Sequence, residues 1–105
     1  MKLDHREPTR HGSLHVVRLE GEIDVANAGP IGERILRELG TSGCDAALVD
    51  CSGLVFLDAT GMSMMLRVQQ RADQAHVVLA WSRLRGLPLL AVRLVGLDER
   101  LALIA

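Results

Sequence analysis

The sequence predicts an α/β fold built on a largely parallel sheet, and three observations carry that expectation. Short apolar runs at 46–51 and 76–81 have the length of buried strands. Residues 62–74 hold neither Gly nor Pro and suit a helix, and 27–39 places apolar residues at helical spacing. Strand and helix patterns alternate along the chain, as they do where parallel strands are joined by helical crossovers.

Each element follows from its residues. Residues 1–12 mix charge with Pro8 and Gly12 and suit either a short edge strand or a loose arm. Leu14, Val16, Val17 and Leu19 come close to the alternation of a strand over 14–20 with one side facing solvent, and Gly21-Glu22-Ile23-Asp24 extends or ends it. In 27–39, Ala28, Ile31, Ile35 and Leu39 form one stripe of an amphipathic helix, with Asn27 as its N-cap, Pro30 in the first turn and Gly40 as its stop. The strand at 46–51 is expected to end at Ser52-Gly53. A third buried strand spans 76–81, Pro88 opens a last helix, and Gly96 followed by Leu97 suits its C-terminal stop. Residues 101–104 form a short strand or a frayed end.

A chain of 105 residues that is 49% hydrophobic suits one compact domain over 1–105, with a core of Leu, Val, Ile, Ala and Met, because it holds one Trp, one Phe and no Tyr. The lack of aromatics and a formal net charge of −1 argue against a nucleic-acid partner. Cys44 and Cys51 are read as packing residues, and His5, His11, His15 and His76 as scattered surface groups without metal-ligand spacing; neither metal nor cofactor is expected. The N-terminus lacks the apolar run of a signal peptide, and no segment has the length of a membrane span. A cytoplasmic, reduced protein without membrane insertion is expected.

The turn Leu57-Asp58-Ala59-Thr60-Gly61-Met62 joins a strand to a helix and places one hydroxyl, on Thr60, where the helix begins. Two roles fit. Asp58 can cap the helix with Thr60 merely in its first turn; or the unpaired N–H groups and positive dipole end there can host negative charge added to Thr60. At about 100° per residue, Met62, Met65, Leu66 and Ala72 form the expected core stripe, while Thr60, Met64, Arg67 and Arg71 share the opposite side. An exposed Met64 bracketed by arginines would suit a protein contact; Met64 packed under a loop beside solvated arginines fits equally. No local His can act as base for Thr60, and Gly53 and Gly61 do not form a phosphate-binding GxxxxGK[ST] loop, so an enzyme is not expected.

The segments Gly21-Glu22-Ile23-Asp24, Asp50-Cys51-Ser52-Gly53-Leu54 and Asp58-Ala59-Thr60-Gly61-Met62, with Gly96-Leu97-Asp98 near the end, resemble the STAS domain family in order and spacing over about residues 14–104. The resemblance implies a small, mostly parallel sheet, mixed at one edge, with helices mainly on one face. It also implies an anti-sigma-factor antagonist that binds an anti-sigma factor, itself a serine/threonine kinase, with a phosphatase acting on the phosphorylated form. Thr60 matches the family's phosphorylated hydroxyl, Asp58 and Gly61 its neighbours, and Asp24 an acidic residue beside the site; Ala59 replaces a first hydroxyl, leaving Thr60 as the acceptor in the turn. Met64, Arg67 and Arg71 would then form the partner surface. The family also includes an accessory subunit that binds the ATPase of a lipid-transport ABC system and has a similar turn with Thr. A more distant alternative is a nucleotide-binding enzyme that holds phosphate at Thr60.

Overall fold

The computed structural model describes residues 2–9, 12–40 and 45–105. Among them the elements run β1 (Lys2–Thr9), β2 (Gly12–Ile23), α1 (Ala28–Gly40), β3 (Ala46–Leu57), α2 (Ala59–Gln74), β4 (Val78–Ser82), α3 (Gly86–Leu94), a 3-10 turn (Leu97–Glu99) and β5 (Leu103–Ile104). The five strands form one sheet in chain order. β1 is antiparallel to β2, and β2 through β5 run parallel. Each crossover moves one strand in the same direction, and because such connections are right-handed the three helices lie on one face.

Side-chain alternation identifies the covered face. His15, Val17 and Leu19 of β2, Ala47, Val49 and Cys51 of β3, and Leu79 and Trp81 of β4 point to the helices and are buried, whereas Leu14, Val16, Leu48 and Ala80 on the other face are half-buried. The register places His15 beside Ala47 and Val49 beside Trp81, so the inward residues form continuous rows across the sheet. His15 therefore departs from the surface position expected for it. Leu14 and Val16 make the opposite face apolar near the start of β2, so alternation there does not tell which face is buried. His76 is exposed, as expected; His11 and Cys44 lie outside the described residues. Burial pushes the Cys51 thiol up to about 12, with Asp50 adding to the shift, which keeps it protonated and unreactive at neutral pH.

β3 does not stop at Ser52-Gly53. Its pairing with β2 passes from Arg18 and Asp50 to Glu20 and Gly53, and then from Gly21 and Leu54 to Glu22 and Phe56, so β3 carries an extra residue at each of two bulges. A side chain at Gly53 would crowd Glu20 and the Leu19 carbonyl at 3.2–3.3 Å, and Gly21 sits at φ 76°, where only glycine is unstrained. Gly53, expected to end β3, instead lies within it at a bulge, and Gly21 lets β2 extend alongside.

Two polar groups inside this frame are fully engaged. Gln69 of α2 is buried; its Oε1 accepts from the Trp81 indole N–H at 2.9 Å and from the Ala102 backbone N–H at 3.0 Å, and its Nε2 donates to Asp73. Asp50 at the first bulge accepts from the Ser52 N–H at 2.9 Å and lies 3.7 Å from Arg18. Burial alone would raise the Asp50 carboxyl, but the hydrogen bonds from Ser52 and the charges of Arg83 and Arg18 together hold it below the ordinary value.

Gln69→Leu leaves two buried donors unpaired and is expected to cost about 2–4 kcal/mol in urea unfolding. For Asp50 the sign follows from its lowered folded value: it stabilises above its unfolded value of about 3.9, and that contribution fades as pH falls through the folded value. Unfolding midpoints of the unmodified chain and Asp50→Asn are accordingly expected to differ at neutral pH and converge in acid.

Candidate functional site

The turn between β3 and α2 is built by capping and close contact. Asp58 is the N-cap of α2 in an extended conformation, and its Oδ1 accepts from the Gly61 N–H at 2.9 Å. The Asp58 N–H donates to the Ile23 carbonyl at 3.2 Å, joining the start of α2 to the end of β2. Gly61 completes the joint. A Cβ there would stand 2.5 Å from Leu57 Cδ1, 3.0 Å from Ile23 Cγ2 and 3.1 Å from the Ile23 carbonyl oxygen. Only a residue without a side chain lets the helix start this close to β2.

That contact puts the loop after Ile23 next to the turn. Asp24 Oδ1 accepts from the Ala26 N–H at 2.9 Å, and the Asp24 carbonyl accepts from Asn27 and Ala28, so Asp24 shapes the entry to α1. Asn27 acts backwards from the expected cap: its Oδ1 accepts from the Asp24 N–H and its Nδ2 donates to the Glu22 carbonyl, each at 2.9 Å. Val25 at the loop tip is exposed.

Thr60 is exposed at the second residue of α2. It lines a cleft of 180 Å³ with Ala28 and Gly29 from the first turn of α1 and Ser63, Met64 and Arg67 of α2. Two helix N-termini thus flank the hydroxyl, and their dipoles both favour negative charge there. Ser63 is a second exposed hydroxyl in this cleft, one turn on from Thr60. Its i, i+3 spacing from Thr60 is the signal in the sequence that sets the two hydroxyls side by side.

The predicted partner face is corrected at Met64. Met64 is buried, not exposed, because α1 packs across that side of α2: a Cβ on Gly32 of α1 would meet Met64 Cγ at 2.8 Å and an Arg67 guanidinium nitrogen at 2.7 Å. The core face of α2 runs through Gly61, Met64, Met65, Val68, Gln69 and Ala72, and Met62 and Leu66 are half-buried at its edge. Arg67 lies beside Thr60 and 3.5 Å from Glu33, a pair too exposed to add much stability. Arg71 is brought elsewhere. It is eleven residues beyond Thr60, about 16 Å along the axis, and lines a hollow with Leu36, Leu39 and Val77.

Among the described residues no cluster of His, Cys, Asp and Glu could hold a metal ion. No helix there is long and apolar enough to cross a membrane. The arrangement offers an accessible hydroxyl at a helix start capped by Asp58, with the Asp24 loop joined to that start through the Ile23 carbonyl.

The family model described as Mlab, STAS domain matches residues 7–105. The chain belongs to the STAS domain family. Solved structures share this STAS fold at low identity. An anti-sigma factor antagonist from Mycobacterium paratuberculosis is 22% identical with a TM-score of 0.74, covering 94% of this chain and 81% of that one. A putative anti-sigma factor antagonist from Thermotoga maritima is 11% identical with a TM-score of 0.79, over 94% and 83% of the two chains. The anti-sigma factor antagonist SpoIIAA in its unphosphorylated form is 16% identical with a TM-score of 0.73, over 96% and 87%. No curated protein matches.

Gly61→Ala sets a helix-propensity gain of up to about 1 kcal/mol against overpacking of about 1–3 kcal/mol. The Ile23 carbonyl is backbone and Leu57 is buried, so the clash is expected to win, lowering stability by about 1–2 kcal/mol in denaturant unfolding. Gly29→Ala, where nothing lies within 4 Å, is the contrasting control and should stabilise slightly.

Proposed function

We propose that this STAS domain is an anti-sigma-factor antagonist in a partner switch controlled by phosphorylation of Thr60. The observation that carries it is the exposed Thr60 hydroxyl at a helix start, capped by Asp58 and joined through Ile23 to the Asp24 loop. Its likeness to anti-sigma factor antagonists, one of them solved in an unphosphorylated form, supports the same assignment. The partner is an anti-sigma factor with serine/threonine kinase activity, and a phosphatase resets the switch. The chain itself acts by binding, in the cytoplasm, without enzymatic chemistry.

The docking surface is the Asp24 and Val25 loop with Thr60, Ser63 and Arg67; Met64 supports it from beneath by fixing α1 against α2. Unmodified, this surface docks on the anti-sigma factor and displaces the sigma factor. Phosphate on Thr60 adds about −1.5 to −2 charges. The α2 dipole offsets part of this by about 0.3–1 kcal/mol, so the fold tolerates the group. A docked partner must instead desolvate a dianion beside Asp24 and Asp58, which weakens binding.

A second reading has its own support: the matching family model carries the description Mlab, STAS domain, and the lone Thr suits a permanently unmodified turn. In that case the same surface binds the ATPase of a lipid-transport ABC system.

Incubation with the candidate anti-sigma kinase and ATP is expected to add about 80 Da, the mass of one phosphate, to the unmodified chain and to Ser63→Ala but not to Thr60→Ala. Thr60→Glu should weaken kinase binding by more than about tenfold while Thr60→Ala retains it. Binding of Thr60→Glu as tight as that of the unmodified chain would refute the switch. Binding to the transport ATPase without mass gain would favour the second reading.

A further inference from the structure

Apart from Arg93, every side chain of α3 is apolar. Pro88 and Val92 face the core and are buried, yet Leu87, Leu90 and Leu94 on the opposite side are 68%, 51% and 76% exposed. Helices apolar on every side are normally covered on every side. The uncovered surface continues into Val95, 64% exposed, and across to Val55 and Phe56 of β3, 59% and 43% exposed; Phe56 is the chain's one phenylalanine. Val55 shares a hollow with Leu87, and Phe56 lines a groove of 240 Å³ with Leu57, Leu87, Leu90, Ala91 and Leu94, so the patch is contiguous.

We propose that this face of α3, with Phe56 and Val95, is the interface of a symmetric dimer of two copies of this chain. At the sizes of these side chains the patch offers roughly 600 Å² of apolar surface, at the upper end of what monomers leave contiguous and close to the ~800 Å² per partner of stable interfaces. Its shape is self-complementary, because a leucine ridge lies directly beside an apolar groove. A two-fold axis beside Leu90 lays α3 antiparallel to its copy, so that each ridge enters the other's groove. Two cations bear on self-association: Arg85, at the edge of the hollow shared by Val55 and Leu87, and Arg93, the sole charged residue of α3, whose two copies fall about 9 Å apart along the helix, within reach of screening by salt. Thr60 lies in a cleft that shares no lining residue with the Phe56 groove, while Val95 at the margin of the interface lines a separate hollow with Ala59 and Ser63.

Sedimentation velocity and light scattering of the full chain over about 2–200 μM are expected to show mass rising from 11.4 kDa toward twice that value. Leu90→Asp and Leu94→Asp, both at exposed positions that leave the circular dichroism spectrum unchanged, should each raise the dimer dissociation constant by more than about tenfold. Raising salt from about 0.05 to 0.5 M should tighten the dimer a few-fold by screening Arg93 and Arg85, and Arg93→Gln should reduce that dependence. A monomer throughout the range, or a dimer indifferent to both aspartate substitutions, overturns the proposal. So does a monomer that uses this face to bind phosphatidylglycerol vesicles or the anti-sigma kinase, lost in Leu94→Asp; attraction to such anionic or acidic partners would weaken with salt.

Discussion

The absence of a side chain at Gly61 is the constraint on which the candidate site depends. The start of α2 rests on Ile23 and Leu57 with no space for even one methyl group, and the Asp58 N–H closes the same joint by donating to the Ile23 carbonyl. The contact is local, but its effect is long-range. It brings a loop that follows β2 into register with a turn that follows β3, more than thirty residues later. The position of Thr60 relative to Asp24 is therefore set by close packing between the ends of two neighbouring strands, with the Asp58 cap fixing the direction in which α2 leaves the sheet.

From that anchored start, α2 serves as the hub of the helical layer. Gly32 lets α1 approach Met64 and Arg67, and Gln69, two turns farther on, ties the helix to Trp81 of β4 and the backbone before β5. A buried amide with both atoms engaged costs nothing in unpaired groups and accepts only one placement of the C-terminal segment. Under the proposed switch, a phosphate at the helix start would change what the surface binds without changing the fold that presents it.

Charge and apolarity are also segregated. The loop and turn near Thr60 carry Glu22, Asp24 and Asp58, whereas the exposed flank of α3 carries leucines and a single arginine. Surfaces so different in chemistry favour different kinds of contact, polar and charged at one and driven by apolar burial at the other.

The alternation of strands and helices, the helix starts at Asp58 and the left-handed stop at Gly96, observed at φ 76°, were all legible in the residues because they rest on local spacing, capping and turn chemistry. So were the exposed Thr60 and the glycine beside it. What was not legible depended on neighbours distant in the chain. β3 ran past Ser52-Gly53 because β2 lay alongside to pair with it through two bulges, and His15 was buried because the helices cover that face of a strand apolar on both sides near its start. Met64 is the clearest case. Helical periodicity placed it correctly on the side of Thr60, but a wheel drawn for one helix has a single inside, and α2 has two, the sheet below and α1 beside it. The sequence by itself determined the order of elements and the hydroxyl at the start of α2; only the packing of α1 through Gly32 decided which of that helix's faces meets solvent, since burial belongs to pairs of elements and local spacing describes one.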